Sequence, residues 1–159
     1  ARMLEGGEDV KFIARRLVIF ASEDVGLADP RALPLAVSTF QACELVGLPE
    51  CQLNLAHCTV FLATTPKSNS TTEAIGAARK CIREEGLQEV PGWLKDSHTA
   101  FNKKLGQGAG YLYSHEFPEA ISGQEYMVDP KSFYSPKDAG AEARIAERLE
   151  RWRKLKCEM

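Results

Sequence analysis

Four consecutive segments between residues 8 and 86 carry apolar residues at the spacing of packed α-helices. The segment 8–25 has apolar residues on two faces, so we expect a helix that is buried on more than one side. Gly26 is positioned to end that helix, because glycine adopts the backbone conformation common after a helix C-terminus. The residues that define the two faces are Val10, Ile13, Leu17 and Ala21 on one, and Phe12, Ile19 and Phe20 on the other.

Local capping signals place the starts of the next helices. Asp29 followed by Pro30 predicts an N-cap and a first helical turn. A third helix is predicted over 49–64. The pattern Ser70-Thr-Thr-Glu73 predicts a capping box at the start of a fourth helix. The second and fourth helices are predicted to end at Gly47 and Gly86.

Residues 87–136 differ in composition: they are rich in prolines, glycines and aromatic residues and show little helical periodicity. One short helix is predicted near 98–106, and a small hairpin near 110–129. Ser135 and Pro136 then predict the start of an amphipathic terminal helix. The predicted fold class is all-α, with a helical bundle over 1–86 and an irregular arm plus C-terminal helix over 87–159, packed as one domain. The apolar stripe of the terminal helix is Ala141, Ile145, Leu149, Trp152 and Leu155.

Composition excludes several classes of protein. The formal charge of −2 does not indicate a dominant nucleic-acid-binding surface. No run approaches the ~20 apolar residues of a membrane span, and no signal peptide opens the chain, so a cytoplasmic location is expected. The first residue is not methionine, and the chain reads as part of a longer protein. The five cysteines are odd in number and lack CxxC spacing, so reduced thiols are expected, four of them in apolar helices. They are Cys43, Cys51, Cys58, Cys81 and Cys157.

The glycine-rich stretch 105–113 (LGQGAGYLY) resembles a phosphate-binding loop only superficially. It lacks the lysine and hydroxyl residue of a Walker loop. It also follows a predicted helix, whereas a dinucleotide fingerprint follows a strand. We therefore expect Gly106 to end a helix and the other two glycines to turn the chain, and we expect no bound cofactor.

Two histidine motifs are weak candidates for catalysis. His115-Glu116 resembles the start of HExxH, but position 119 is glutamate and Pro118 interrupts a helix. His57-Cys58 lies in an apolar helix, where core packing is favoured over a thiolate–imidazole pair. The sequence predicts no catalytic and no metal-binding residues, and a thiol or zinc hydrolase is the least favoured alternative.

Basic residues in two places could contact nucleic-acid phosphates. A solvated helix face is the favoured interpretation, because acidic residues flank the terminal group, and Trp152 is expected to pack rather than to stack on bases. The alternative is a stand-alone DNA-binding module that uses the C-terminal helix. The candidate residues are Lys103, Lys104, Arg151, Arg153, Lys154 and Lys156.

Five blocks of sequence resemble one family. They are RRLVIFASEDVGLADPRAL (15–33), PKSN (66–69), VPGWLKD (90–96), LGQGAGYLYSHE (105–116) and GQEY (123–126). In this order they resemble the C-terminal region of the AAA+ ATPases that comprise replication-associated recombination protein A and the Werner helicase-interacting protein.

The resemblance implies a clamp-loader-like helical domain that forms a homotetramer. ATP and magnesium would bind an N-terminal core that lies outside this chain, so the chain itself is not expected to be an enzyme. The parent would be a DNA-dependent ATPase at stalled or damaged replication forks, associated with the nucleoid. We also expect weak DNA binding and contacts with replication and single-strand-binding proteins. We expect no membrane partner.

Structural roles are expected for the charged and polar residues of the matching blocks. We expect Asp29 to cap the second helix. We expect Glu23 or Asp24 to pair with Arg15 or Arg16. The other residues assigned to the motif are Ser22, Lys67, Ser68 and Asn69.

Overall fold

A computed structural model describes residues 1–158 and confirms the all-α class. Within those residues there are seven α-helices and no β-strand, and no helix is long and apolar enough to cross a membrane. Short π-helical and 3₁₀ turns connect the helices. The α-helices are α1 (Arg2–Glu5), α2 (Val10–Phe20), α3 (Ala32–Val46), α4 (Cys51–Thr64), α5 (Ser70–Glu85), α6 (Ala100–Lys104) and α7 (Glu142–Cys157).

The chain forms two compact units. Unit 1 comprises residues 1–75 and 134–146, and unit 2 comprises 76–133 together with α7 from Glu147 onward. These limits fall inside α5 and α7, whereas the change in composition falls at residue 86. Packing of 1–86 and 87–159 as one domain stays a prediction.

The core of unit 1 is built from small side chains. Helix α2 packs on α3, and α4 packs against both. Alanines and cysteines at the contacts let the helix backbones approach closely. Burial raises the pKa of Cys43 to about 11, which keeps that thiol protonated at neutral pH. The buried residues of the two apolar clusters of unit 1 are Ala14, Ala21, Val25, Ala32, Ala36, Cys43, Cys51, Leu55, Cys58 and Leu62.

The predicted helix over 8–25 ends earlier than its apolar pattern suggests. The α-helix stops at Phe20, and Ala21–Val25 form a π-helical turn. Gly26 follows with φ +52°, and a Cβ atom there would lie 2.6 Å from the Ser68 carbonyl oxygen. The Ser68 amide also donates to the Asp24 carbonyl at 2.8 Å. The close approach of a distant segment explains both the widened turn and the glycine.

The predicted start of the terminal helix is wrong. Helix α7 begins at Glu142, seven residues after the predicted cap Ser135. The preceding chain turns at Gly140 (φ +53°), where a Cβ atom would lie 2.2 Å from the Ala28 carbonyl oxygen. The Ala141 amide donates to that same carbonyl at 2.8 Å. A backbone contact with a distant turn therefore takes precedence over the local Ser-Pro signal.

The predicted hairpin in unit 2 is also wrong. Ser114–Glu116 and Pro118–Ala120 form 3₁₀ turns instead of a strand. The Gln124 side chain donates to the Gly110 carbonyl at 2.8 Å and accepts from the Leu112 amide at 3.1 Å. A side-chain amide thus takes the hydrogen bonds that a partner strand would provide.

Unit 2 has little enclosed core. Within its described residues only Pro91 and Ser122 are buried. Hydrogen bonds to loop backbone order the chain instead, including Trp93 Nε1 to the Glu125 carbonyl at 2.8 Å and the Gly108 amide to the Gly92 carbonyl at 2.9 Å. Such a segment depends on specific polar contacts more than on apolar burial.

Candidate functional site

Asp29 joins the start of α3 to the end of α4. Its carboxylate accepts hydrogen bonds from the Arg31 amide at 3.0 Å and from the Arg31 guanidinium at 2.9 and 2.7 Å. The Thr65 hydroxyl donates to it at 3.0 Å. These bonds, those from the Arg31 side chain above all, hold the pKa of Asp29 well below its ordinary value.

The predicted N-cap role of Asp29 needs correction. Helix α3 begins at Ala32, and Asp29 accepts the amide two residues on, in a turn before the helix. The Ala32 amide donates to the Asp29 carbonyl oxygen at 3.1 Å. Arg31 also lies over the Phe61 ring at 5.5 Å, so the motif organises a junction between helices.

A buried carboxylate at the N-terminus of α7 accepts four hydrogen bonds within unit 1. Glu142 is fully enclosed, and its carboxylate accepts from the hydroxyls of Ser68, Ser70 and Tyr134. The Lys137 amide is a fourth donor, at 3.1 Å. Burial alone would raise the pKa of Glu142, but these hydrogen bonds outweigh it and the pKa lies below its ordinary value. Burial raises the pKa of Tyr134 to about 12.

The Glu142 cluster replaces the predicted capping box. The Ser70 hydroxyl donates to Glu142, and Glu73 accepts from Lys137 Nζ at 3.1 Å, so neither side chain caps α5. Sequence reasoning did not single out Glu142. The available signal was its position three residues before Ile145, on the inward face of an otherwise charged helix.

The predicted pairs of Glu23 or Asp24 with Arg15 or Arg16 are wrong. All four side chains are exposed, as is Ser22, and none of the four charged groups forms a salt bridge within residues 1–158. The π-helical turn instead forms a hydrogen bond through its backbone, in which the Glu23 carbonyl accepts from the Thr72 hydroxyl at 3.3 Å. The Glu23 and Asp24 side chains face solvent.

The remaining motif residues hold the linker between α4 and α5. Ser68 is buried against Glu142, as described above. The Lys67 ammonium lies 5.9 Å from the centre of the Phe20 ring and donates to the Thr65 carbonyl. Asn69 accepts from Lys137 Nζ.

The basic candidates differ in how far their charges are compensated. Three of them are engaged within unit 2 or along α7: Arg151 with Glu119 at 2.7 Å, Lys154 with Glu150 at 3.0 Å and Lys156 with Glu125 at 2.7 Å. Lys103, Lys104 and Arg153 are exposed and form no salt bridge in the part of the chain that the structure describes. Carboxylates therefore compensate three of the six charges.

The histidine motifs do not assemble a catalytic pair. Cys58 is buried and burial raises its pKa, whereas the neighbouring His57 is exposed, so the two face away from each other on α4. His115 lies against Tyr113, with ring centroids 5.2 Å apart. Across residues 1–158, no three His, Cys, Asp or Glu side chains cluster closely enough to hold a metal ion.

Unit 1 exposes apolar side chains on the outer surface of its helices. A groove of about 670 Å³ runs between α1, α2 and α4, and we call it the α1–α4 groove. Its lining includes Met3, Ile13, Leu53 and Val60, of which Leu53 is 70% exposed and Val60 62%. Helix α4 therefore buries Leu55, Cys58 and Leu62 on one side and presents apolar residues on the other.

Comparison with known proteins agrees with the helical architecture. Residues 1–153 match the family described as "MgsA AAA+ ATPase C terminal". The chain belongs to this family. It is 47% identical over 158 residues to an AAA domain-containing protein of Mycobacterium tuberculosis, across 98% of this chain and 35% of that protein. It is 41% identical over 143 residues to replication-associated recombination protein A of Bacillus subtilis, across 88% of this chain and 34% of that protein.

The family extends to a eukaryotic relative. The chain is 41% identical over 130 residues to the ATPase WRNIP1 of Dictyostelium discoideum, across 81% of this chain and 15% of that protein. The chain spans about a third of the length of the two bacterial relatives. The family description places the matching region at the C-terminus of AAA+ ATPases.

Proposed function

We propose that this chain is the oligomer-forming C-terminal domain of an AAA+ ATPase that acts on DNA at stalled or damaged replication forks. The observation that carries the proposal is the family match over residues 1–153 of a chain whose helices expose a broad apolar surface. In the proposed arrangement four copies associate, and ATP with magnesium binds in another part of the full-length protein.

The pattern of α4 supports association. A helix that carries apolar residues on more than one face normally buries more than one face. In unit 1 only one side of α4 is covered, while Leu53 and Val60 remain open to solvent. A second copy seated in the α1–α4 groove would cover them. Obligate assemblies of this kind bury upward of ~2,000 Å².

Further exposed apolar residues enlarge the surface available to other copies. Leu45, Val46 and Leu48 lie where α3 turns into α4, and Leu45 is 86% exposed. Isolated apolar side chains are common on protein surfaces, but contiguous patches mark interaction sites. A closed tetramer with isologous contacts would use such patches on every copy.

The role at replication forks rests on the relatives. The Bacillus subtilis relative is named for replication-associated recombination, and the Dictyostelium discoideum relative is named as an ATPase. In the proposed full-length protein this domain holds four ATPase cores together. Multivalency would then raise the affinity of weak DNA contacts.

The test compares two charged substitutions at exposed leucines. Leu53→Asp places a carboxylate in the α1–α4 groove, whereas Leu87→Asp places one on unit 2 at a residue that is 84% exposed. Light scattering coupled to size-exclusion chromatography should find a tetramer for the unchanged chain and for Leu87→Asp, and a smaller species for Leu53→Asp. A tetramer that survives Leu53→Asp would remove the groove from the interface, and a monomeric unchanged chain would refute the proposal.

A further inference from the structure

A small pocket in unit 2 combines aromatic rings, cations and one buried polar atom without a partner. We propose that it binds a single unstacked nucleobase of single-stranded DNA, an inference that rests on the proposed action on DNA. The pocket has a volume of about 220 Å³ and lies between the 118–126 segment and the outer part of α7. Its wall includes Tyr126 and Trp152, with Arg153 and Lys156 beside them.

The size and lining suit one flat ring. Pockets for drug-sized ligands measure roughly 300–1,000 Å³, so this one is too small for a nucleotide cofactor of that size. Ile121 and Leu149 complete an apolar wall. Bases stack on aromatic side chains in proteins that hold single strands, because every base has a π face. A paired base inside a duplex could not enter.

Ser122 supplies the observation that points to a ligand. Its side chain is 4% exposed, lines the pocket, and its hydroxyl has no hydrogen-bond partner within residues 1–158. The nearby Tyr126 hydroxyl bonds Ser114 at 3.2 Å. A buried hydroxyl without a partner is unfavourable. The hydroxyl oxygen is enclosed, and rotation of the Ser122 side chain toward the pocket would give it the polar edge of a base as the missing partner.

The charges at the pocket suit the phosphates on either side of that base. Arg153 is exposed and forms no ion pair in the described part of the chain. Lys156 pairs with Glu125 at 2.7 Å yet keeps a third of its side chain exposed. Arg148 already lies over the Trp152 ring at 5.8 Å, so this ring accepts a cation on one face.

A second pair of rings continues from the pocket. The Ser114–Tyr126 hydrogen bond places the 113–115 turn beside Tyr126, and Tyr113 and His115 lie together on that turn. Tyr113 is 54% exposed. Neighbouring bases of the same strand would stack there. This succession of rings favours a single strand over a protein partner.

The first experiment measures fluorescence anisotropy of a labelled oligo(dT) of about 20 nucleotides, longer than common single-strand sites. Tyr126→Leu removes the ring, Tyr126→Phe keeps it, and Tyr111→Leu removes a tyrosine of similar exposure outside the pocket. Loss of one stacked base corresponds to a weakening of about five- to 150-fold. We expect that loss for Tyr126→Leu only, with the other two variants within about twofold of the unchanged chain.

The second experiment measures salt dependence. Arg153→Ala should lower the slope of log affinity against log salt by about 0.7, the value for one phosphate contact with a single strand. Arg144→Ala removes an exposed arginine of the same helix outside the pocket and should leave the slope unchanged.

Three results would overturn the inference: no measurable oligo(dT) binding, equal binding by Tyr126→Leu, or equal competition by a blunt duplex of the same length. In each case the mass of the assembly shows whether the base-binding inference alone has failed or the proposed function as well. A tetramer without this binding would leave the proposed function standing, and a monomer would refute the proposed function. Circular dichroism of Tyr126→Leu, together with its oligomeric mass, confirms that a loss of binding comes from the pocket. If Tyr126→Leu does not fold, Ser122→Val serves as the test variant instead. It removes the proposed hydrogen bond and should weaken oligo(dT) binding at least about threefold.

Discussion

Replacement of Glu142 by glutamine tests how a buried carboxylate holds the start of α7 in unit 1. Glutamine has nearly the same shape, and its amide can match all four neighbours. Its oxygen can accept from Ser68 and the Lys137 amide, while its NH₂ group donates to the hydroxyls of Ser70 and Tyr134. A hydroxyl group can change from donor to acceptor, whereas the backbone amide of Lys137 can only donate and still finds an oxygen. Glutamine therefore keeps all four hydrogen bonds and removes only the negative charge.

The expected size of the effect follows from that geometry. A hydrogen bond to a charged group contributes about 1.5–3 kcal/mol and a neutral one about 1 kcal/mol, while a neutral amide is easier to bury than a carboxylate. We expect Glu142→Gln to lower the free energy of unfolding by about 2 kcal/mol. Glu142→Ala leaves four donors without an acceptor and opens a cavity, so it should cost about 4 kcal/mol or more.

Urea unfolding followed by circular dichroism measures both variants. With a slope of about 2 kcal/mol per molar, Glu142→Gln should lower the midpoint by about 1 M at pH 7. Glu147→Gln on the exposed face of α7 is the matched control and should leave the midpoint unchanged.

Acid titration gives the second readout. The pKa of Glu142 is lowered in the folded state, so its contribution is complete above the ordinary value of 4.5 and is lost as the pH falls below it. The difference between the unchanged chain and Glu142→Gln should therefore shrink on acidification below about pH 4.5. Equal stability at pH 7, or a difference that grows in acid, would refute the reasoning.

Three further predictions concern unit 1 and the thiols. Asp29→Asn should reduce stability at pH 7 and less so below the ordinary Asp value of 3.8, because a lowered pKa stabilises the fold only above that range; a pH-independent difference would contradict this. Gly140→Ala should lower the melting temperature far more than Gly86→Ala, since both have positive φ but only the first places a Cβ atom against a carbonyl oxygen; equal losses would remove the proposed clash. A thiol reagent should modify the exposed Cys157 rapidly and the buried Cys43 and Cys58 only after unfolding, as measured by absorbance with and without guanidinium, and rapid modification of all three would contradict the core.

Periodicity in the sequence predicts the helices of unit 1 well, because their apolar residues repeat locally. The predicted third helix over 49–64 corresponds to α4 at Cys51–Thr64, and the predicted fourth helix to α5 at Ser70–Glu85. Both depend on contacts that a helical repeat encodes within a few residues.

The elements that differ from prediction are set by contacts between residues far apart in the chain. The Ser70 hydroxyl bonds Glu142, 72 residues later in the chain, and this bond removes Ser70 from its expected capping role. The Gln124 side chain takes the place of a β-strand beside Leu112. Local propensity carries no information on such partners, so neither the late start of α7 nor the absence of the hairpin from residues 1–158 could be predicted.

The candidate interaction sites were predictable only in part. Lys156 and Arg153 were recognised as basic, but their different ion pairing depends on where Glu125 lies in the fold. Ser122 has no sequence signal, because an isolated serine between apolar and glycine residues is ordinary in a loop. Ser122 becomes a candidate only in the fold, where it is buried beside aromatic rings.

The most direct test of the proposed function is the native mass of the unchanged chain at micromolar concentration. Four copies of the 17.6 kDa chain correspond to about 70 kDa, and native mass spectrometry should find that species as the main one. A single species at 17.6 kDa, stable on raising the concentration, would contradict the proposal that this C-terminal domain assembles the ATPase.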